Sequence, residues 1–172
     1  LPVYLAFSLS TGAILLNGIL ALTVAPVPAL GWLAIVFILI AWALKVAAWR
    51  HNDQLALPTA ASTTGLGTGE VRSIEWPHTQ ENYILKEMGF QVARKHAAKL
   101  RRIAQGLAFA VPLVLILIGA LVGPAAAVLP VLAAVLAVLS MVPGVLTERW
   151  LFFAEARHTA TLYYGYQHAR TS

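Results

Sequence analysis

Apolar positions in this chain gather into four long runs, instead of the one-sided helical stripe of a water-soluble fold. Leu1–Val24 carries no charged residue, and Leu30–Ala48 contains only Lys45. Both are long enough to cross about 30 Å of hydrocarbon as helices. A short turn around Pro26 and Pro28 joins them, which predicts an antiparallel hairpin over 1–49, with spans at about 1–24 and 30–48. Ile103–Val122 and Ala126–Leu146, separated by Gly123–Pro124, predict a second hairpin over 103–146. The fold class expected is an all-α integral membrane protein: four transmembrane helices in an antiparallel bundle.

Within the spans the polar and small residues stand out. Ser8, Thr11, Gly12 and Gly18 have the spacing that allows close helix contact, and Asn17 is a lone amide among them. Trp32 and Trp49 bracket the second span as interfacial anchors. Lys45, one turn inside Trp49, is expected to snorkel. Pro112 predicts a kink in the third span, and Pro143–Gly144 a bend near the end of the fourth.

Residues 50–102 form the long polar connection. Thr59–Gly69 has no apolar periodicity and reads as an irregular loop. Its glycines match neither G-x-x-x-x-G-K-[ST] nor G-x-G-x-x-G, so nucleotide binding is not expected. A helix is predicted from the cap at Thr79 to Met88, stopping at Gly89. A second should begin near Phe90 and run unbroken into the third span. It carries Arg94, Lys95, Lys99, Arg101 and Arg102, a basic juxtamembrane cluster suited to anionic lipid or to a soluble partner, and not to nucleic acid.

Residues 147–172 read as an amphipathic, charged and aromatic extension of the last helix. Glu148, Glu155, Thr159, Leu162 and Tyr166 fall on one face if the helix continues, with Arg149 and His158 flanking it and Arg157 opposite. Ionisable groups beside a membrane span are costly to desolvate and mark the first place to look for function. Three uses stay open for this stretch. Glu148, Glu155, His158 and Arg149 can bind a quinol headgroup and accept its protons. The carboxylates can simply pair with Arg149, Arg157 or the basic helix and orient the bundle. They can also line a transport path, making the chain half of a secondary membrane transporter, although Asn17 is the one polar group clearly near mid-bilayer. A purely structural scaffold is a further possibility.

Composition narrows the chemistry. At 59% hydrophobic residues, 11% charged and a mean hydropathy of +0.76, this is a membrane protein. The chain opens on Leu1 inside an apolar run without Met, as expected of a piece of a longer polypeptide, so no signal peptide is read. Zero cysteines exclude disulfides, iron–sulfur ligation and thiolate zinc sites on these residues. His51, His78, His96 and His168 lie outside the apolar runs, leaving no histidine pair to hold a haem across the bilayer. There is no H-E-x-x-H motif, no nucleophile elbow and no carboxylate–histidine set with metal spacing, so neither metal ligands nor a self-sufficient redox enzyme is expected on this chain. All twelve Lys and Arg lie on one side of a four-span bundle or, like Lys45, next to it. The positive-inside rule makes that side cytoplasmic.

The run STTGLGTGEVRSIEWPHTQENYILKEMGFQVARKHAAKLRRIA, followed after one hairpin by TERWLFFAEARHTATLYYG, resembles the dimethyl sulfoxide reductase anchor subunit family. The opening LPVYLAFSLSTGAILLNGIL looks like that family's fifth span, which would make this chain the carboxyl-terminal half of an eight-span protein. The resemblance implies a non-catalytic membrane anchor, in a bacterial inner membrane, for an iron–sulfur subunit and a molybdopterin catalytic subunit. Such an anchor oxidises menaquinol and passes electrons outward, with no haem, iron–sulfur cluster or molybdenum of its own. Glu148 falls where many members have Gly-Glu followed four residues later by Arg; here Thr147 replaces the Gly and Phe152 the Arg. The resemblance also implies a carboxyl terminus outside the cytoplasm, opposite to the charge count.

Overall fold

The computed structural model describes residues 1–56, 58–66, 71, 74, 75, 93, 95–123, 126, 128–156 and 162. Among them every regular element is a helix: α1 (Pro2–Thr23), α2 (Pro28–Gln54), the short α3 (Ala60–Thr64), α4 (Ala97–Val122) and α5 (Leu129–Ala154). The helices α1, α2, α4 and α5 are each long and apolar enough to cross a membrane. The chain divides into two compact units. The first comprises Leu1–Gln54 with Arg101–Glu148, and the second Leu55–Leu100 with Arg149–Ser172.

The first unit holds the four-helix packing. Its interior draws Phe7 and Ile14 from α1, Ala34, Ile38 and Ala41 from α2, Ala108, Phe109 and Ile116 from α4, and Ala137 and Met141 from α5. Large side chains such as Leu9, Leu39, Leu132 and Leu139 point outward. That inversion is what a bilayer requires. Lipid tails solvate leucine as well as a protein core does, so helices gain by close approach over small residues. Gly18 of α1 sits against Val138 of α5, Gly31 of α2 against Ala120 of α4, and Gly119 of α4 against Pro130 and Ala133 of α5. The expected small-residue face of α1 is therefore only partly used: Gly18 packs, but Ser8 and Gly12 are exposed, and the buried face carries Ser10, Ile14 and Ala21.

Pro112 does not merely kink the third span. It follows a π-turn, Gly106–Ala110, in which the Val111 N–H reaches back to the Gly106 carbonyl. One residue later Pro112 has no N–H to offer, so the Leu107 carbonyl loses its helical partner. Ser140 of α5 supplies the replacement, its hydroxyl donating to Leu107 O at 2.9 Å. The π-turn also turns Phe109 inward, edge-on to Phe7 at 5.3 Å and stacked on Trp42 at 5.9 Å. Gly144 of α5 lies directly against this turn, where a Cβ would stand 2.3 Å from the Ala108 nitrogen. Helix α5 nevertheless runs through Pro143 and Gly144 to Ala154 without a break.

In the second unit, the short α3 occupies 60–64 of the irregular loop expected at 59–69, whose residues 67–69 lie outside the described residues. Thr59 and Ser62 exchange side-chain and backbone hydrogen bonds in a capping box, and Gly65 ends the turn at a left-handed φ of 71°. His96 is a turn and α4 starts at Ala97, so Lys99, Arg101 and Arg102 run unbroken into the third span as expected, whereas Lys95 precedes the turn. The helix expected over Thr79–Met88 lies outside the described residues, as does Arg94.

Candidate functional site

Helix α2 places Ala34, Ile38, Ala41, Lys45 and Trp49 on its inner face by their three- and four-residue spacing, and all five are buried. The consequence is decisive for Lys45, which does not snorkel. Its ammonium points into the bundle and pairs with the carboxylate of Glu148 on α5, with 7% of the lysine side chain exposed and none of the glutamate's. The physical reason lies on α5. A carboxylate enclosed among apolar helices carries a desolvation penalty that only a matched cation offsets, and this penalty exceeds what Lys45 would gain by reaching for water.

The pair joins α2 to α5 and heads a polar seam that continues between α2 and α4. Lys45 Nζ also lies 4.8 Å from the centre of the Trp49 ring, and the Arg101 guanidinium 5.5 Å from it. Arg101 then grips Asp53 with two bonds, Nη1 to Oδ2 at 2.7 Å and Nη2 to Oδ1 at 2.9 Å, in the fork geometry that suits guanidinium and carboxylate. Deeper in the span, Trp42 Nε1 donates to Gln105 Oε1 at 3.4 Å. Trp49 is thus a buried bridge between two cations, and not an exposed interfacial anchor.

The sequence-predicted site residues are distributed as follows. Glu148 is sealed and held by Lys45. Arg149, the next residue, points about 100° away around the helix and stacks its guanidinium 5.7 Å from the Phe152 ring. Glu155 lies just past the end of α5, half-buried, its N–H still donating to Leu151 O at 2.8 Å. The single helical stripe running from Glu148 to Tyr166 does not form as one α-helix, because α5 ends at Ala154. His158, with Arg157, Thr159 and Tyr166, lies outside the described residues.

In the basic cluster, Lys95, Lys99 and Arg102 are exposed, whereas Arg101 is spent inside the seam on Asp53 and Trp49. Among the described residues no three His, Asp or Glu side chains come together as metal ligands. Sequence reasoning missed Lys45 as the partner of Glu148. The available signal was its register, since it continues the face of Ala34, Ile38 and Ala41.

The chain is similar to a sulfite dehydrogenase component from Allochromatium vinosum, with 30% identity over 135 residues, 78% of this chain and 40% of that protein. It therefore spans about two fifths of the length of this curated relative. No family profile matches the chain, and no solved structure matches it.

Proposed function

We propose that this chain is part of a multi-span membrane subunit of a molybdenum-containing oxidoreductase complex, exchanging electrons between menaquinol and an iron–sulfur partner subunit. The observation that carries the reading is the likeness, over most of this chain, to a subunit of a sulfite dehydrogenase. Four membrane-length apolar helices fit such a subunit. The electron carriers and the molybdopterin then belong to the partners, in keeping with the absence of cysteine from this sequence.

In this reading the carboxyl end of α5 receives the quinol headgroup. Menaquinol oxidation releases two electrons and two protons: the electrons pass to the iron–sulfur subunit, and the protons need acceptors near water. Glu155, with Arg149 and His158 close in sequence, supplies an acceptor and cations to hold the headgroup. Glu148 holds a buried negative charge against Lys45 at the base of this segment. A complex that oxidises its soluble substrate runs the same chemistry backwards, with these groups donating protons to quinone.

Purification of the full-length protein in mild detergent tests the reading. Recovery with molybdenum- and iron–sulfur-containing subunits is the expected outcome; isolation alone, with no metal in the preparation, rules it out. Within the intact complex, Glu155→Gln or His158→Ala should weaken quinol-analogue binding by about ten-fold or more, the loss of one charge-assisted hydrogen bond. Unchanged affinity in both variants would move the quinol site off this chain.

A further inference from the structure

The outward face of α2 carries a second feature that the buried seam does not use. Leu39, Ala43, Val46 and Ala47 line a shallow, open trough with Trp42 on one edge and Arg50, His51 and Gln54 at one end. These positions recur at the three- and four-residue spacing of one helical face, and that face is opposite Ile38, Ala41, Lys45 and Trp49. The trough exists because alanine stands at 43 and 47 between larger neighbours.

The positive charge of Arg50 at this end is uncompensated. Lys45 is neutralised by Glu148 and Arg101 by Asp53, the acidic residue of this last stretch of α2. Arg50 and His51 are exposed and have no ion pair among the described residues. The spacing fits an amphiphile. From Leu39 to Arg50 the helix rises roughly 16 Å, about the length of an acyl chain, and a span that begins near Leu30 leaves the hydrocarbon close to Arg50.

We propose that this trough binds an anionic phospholipid, its phosphate held by Arg50, His51 and Gln54 and one acyl chain lying along Val46, Ala43 and Leu39. Arg50 gives the fork of donors that suits a phosphate, and a cation at this depth favours anionic over zwitterionic headgroups. The site is independent of quinol chemistry and of any partner subunit.

Native mass spectrometry of the full-length protein, supplied with equal phosphatidylglycerol and phosphatidylcholine, reads the proposal directly. Phosphatidylglycerol should be retained preferentially. Arg50→Gln with His51→Gln should reduce that preference by roughly five-fold, from about 1 kcal/mol for the one arginine at the surface. Ala43→Leu with Ala47→Leu should fill the trough and lower retention of both lipids, with thermal unfolding unchanged. Equal retention of the two lipids, or an unaltered preference in Arg50→Gln with His51→Gln, overturns the proposal. So does competition by a menaquinone analogue, or a photo-crosslinker at Ala47 that captures polypeptide instead of lipid in native membranes. Loss of the molybdenum and iron–sulfur subunits leaves this result untouched, so the two readings fail separately.

Discussion

Lys45 and Glu148 are each costly alone in an apolar bundle, and their energetics are those of a pair. Removing one partner of a buried ion pair strands the other and costs about 3–5 kcal/mol, while replacing both with apolar residues of similar size is often neutral. Lys45→Met and Glu148→Leu should each lower the unfolding temperature of the detergent-solubilised protein sharply, and the double substitution should recover most of the loss. Additive losses in the double variant would show that the two residues act independently. The pairing was half legible in the sequence. Both residues stand out as charges at the edge of apolar runs, and the register of Lys45 places it with Ile38 and Ala41. What hid the answer is that α2 is apolar all round, so no polar face separates inside from outside. Small side chains mark the interior here, and a lysine beside a tryptophan looks equally ready to snorkel. Arg101 posed a related problem, one cation of a basic run drawn across to the exposed Asp53 of α2.

At the scale of elements, the π-turn of α4 and the face of α5 opposite it form one unit built from Pro112, Leu107, Ser140 and Gly144. Pro112 leaves the Leu107 carbonyl without an N–H, and Ser140 fills the gap. Ser140→Ala should cost about 1 kcal/mol by leaving that acceptor unpaired. The cost should shrink in a Pro112→Ala background, where an N–H returns to the helix; equal costs in the two backgrounds would show that Pro112 is not the cause. Gly144→Ala should destabilise by about 1–3 kcal/mol, because the new methyl meets backbone that cannot step aside. Gly12→Ala is the matched control, since nothing lies within 4 Å of its added Cβ. It should be neutral or stabilising by up to about 1 kcal/mol, and thermal unfolding of both variants checks the contrast. The existence of the four long helices was legible because length and hydropathy alone set it. The π-turn was not, because one extra residue in a helical turn leaves no periodic trace, and Pro112 by itself signals only an interruption. Likewise α3 escaped notice because its capping box uses Ser62 where Glu or Gln would be the familiar partner.

For the whole molecule, the disposition of charge about the four helices is the property that decides orientation. The Asp53–Arg101 bond ties the end of α2 to the start of α4. The short connections Thr23 to Pro28 and Val122 to Leu129 therefore share the opposite side of the first unit. Neither connection carries a Lys or Arg, while Arg50, Lys95, Lys99, Arg101 and Arg102 flank the tied ends. Moving those cations outward would work against the membrane potential and the insertion bias, so the tied ends should be cytoplasmic. The sequence resemblance to anchor subunits implies the reverse, so a labelling experiment decides between charge and resemblance. This sequence holds no cysteine. Ala25→Cys and Gln54→Cys, with any cysteine elsewhere in the full-length polypeptide replaced by serine, therefore report opposite ends of α2. A membrane-impermeant maleimide should label Ala25→Cys in spheroplasts and reach Gln54→Cys only after the membrane is broken. The opposite pattern would mean that the basic ends are held outside the cytoplasm against their charge. A tightly bound partner subunit on that face is the kind of contact able to hold them there.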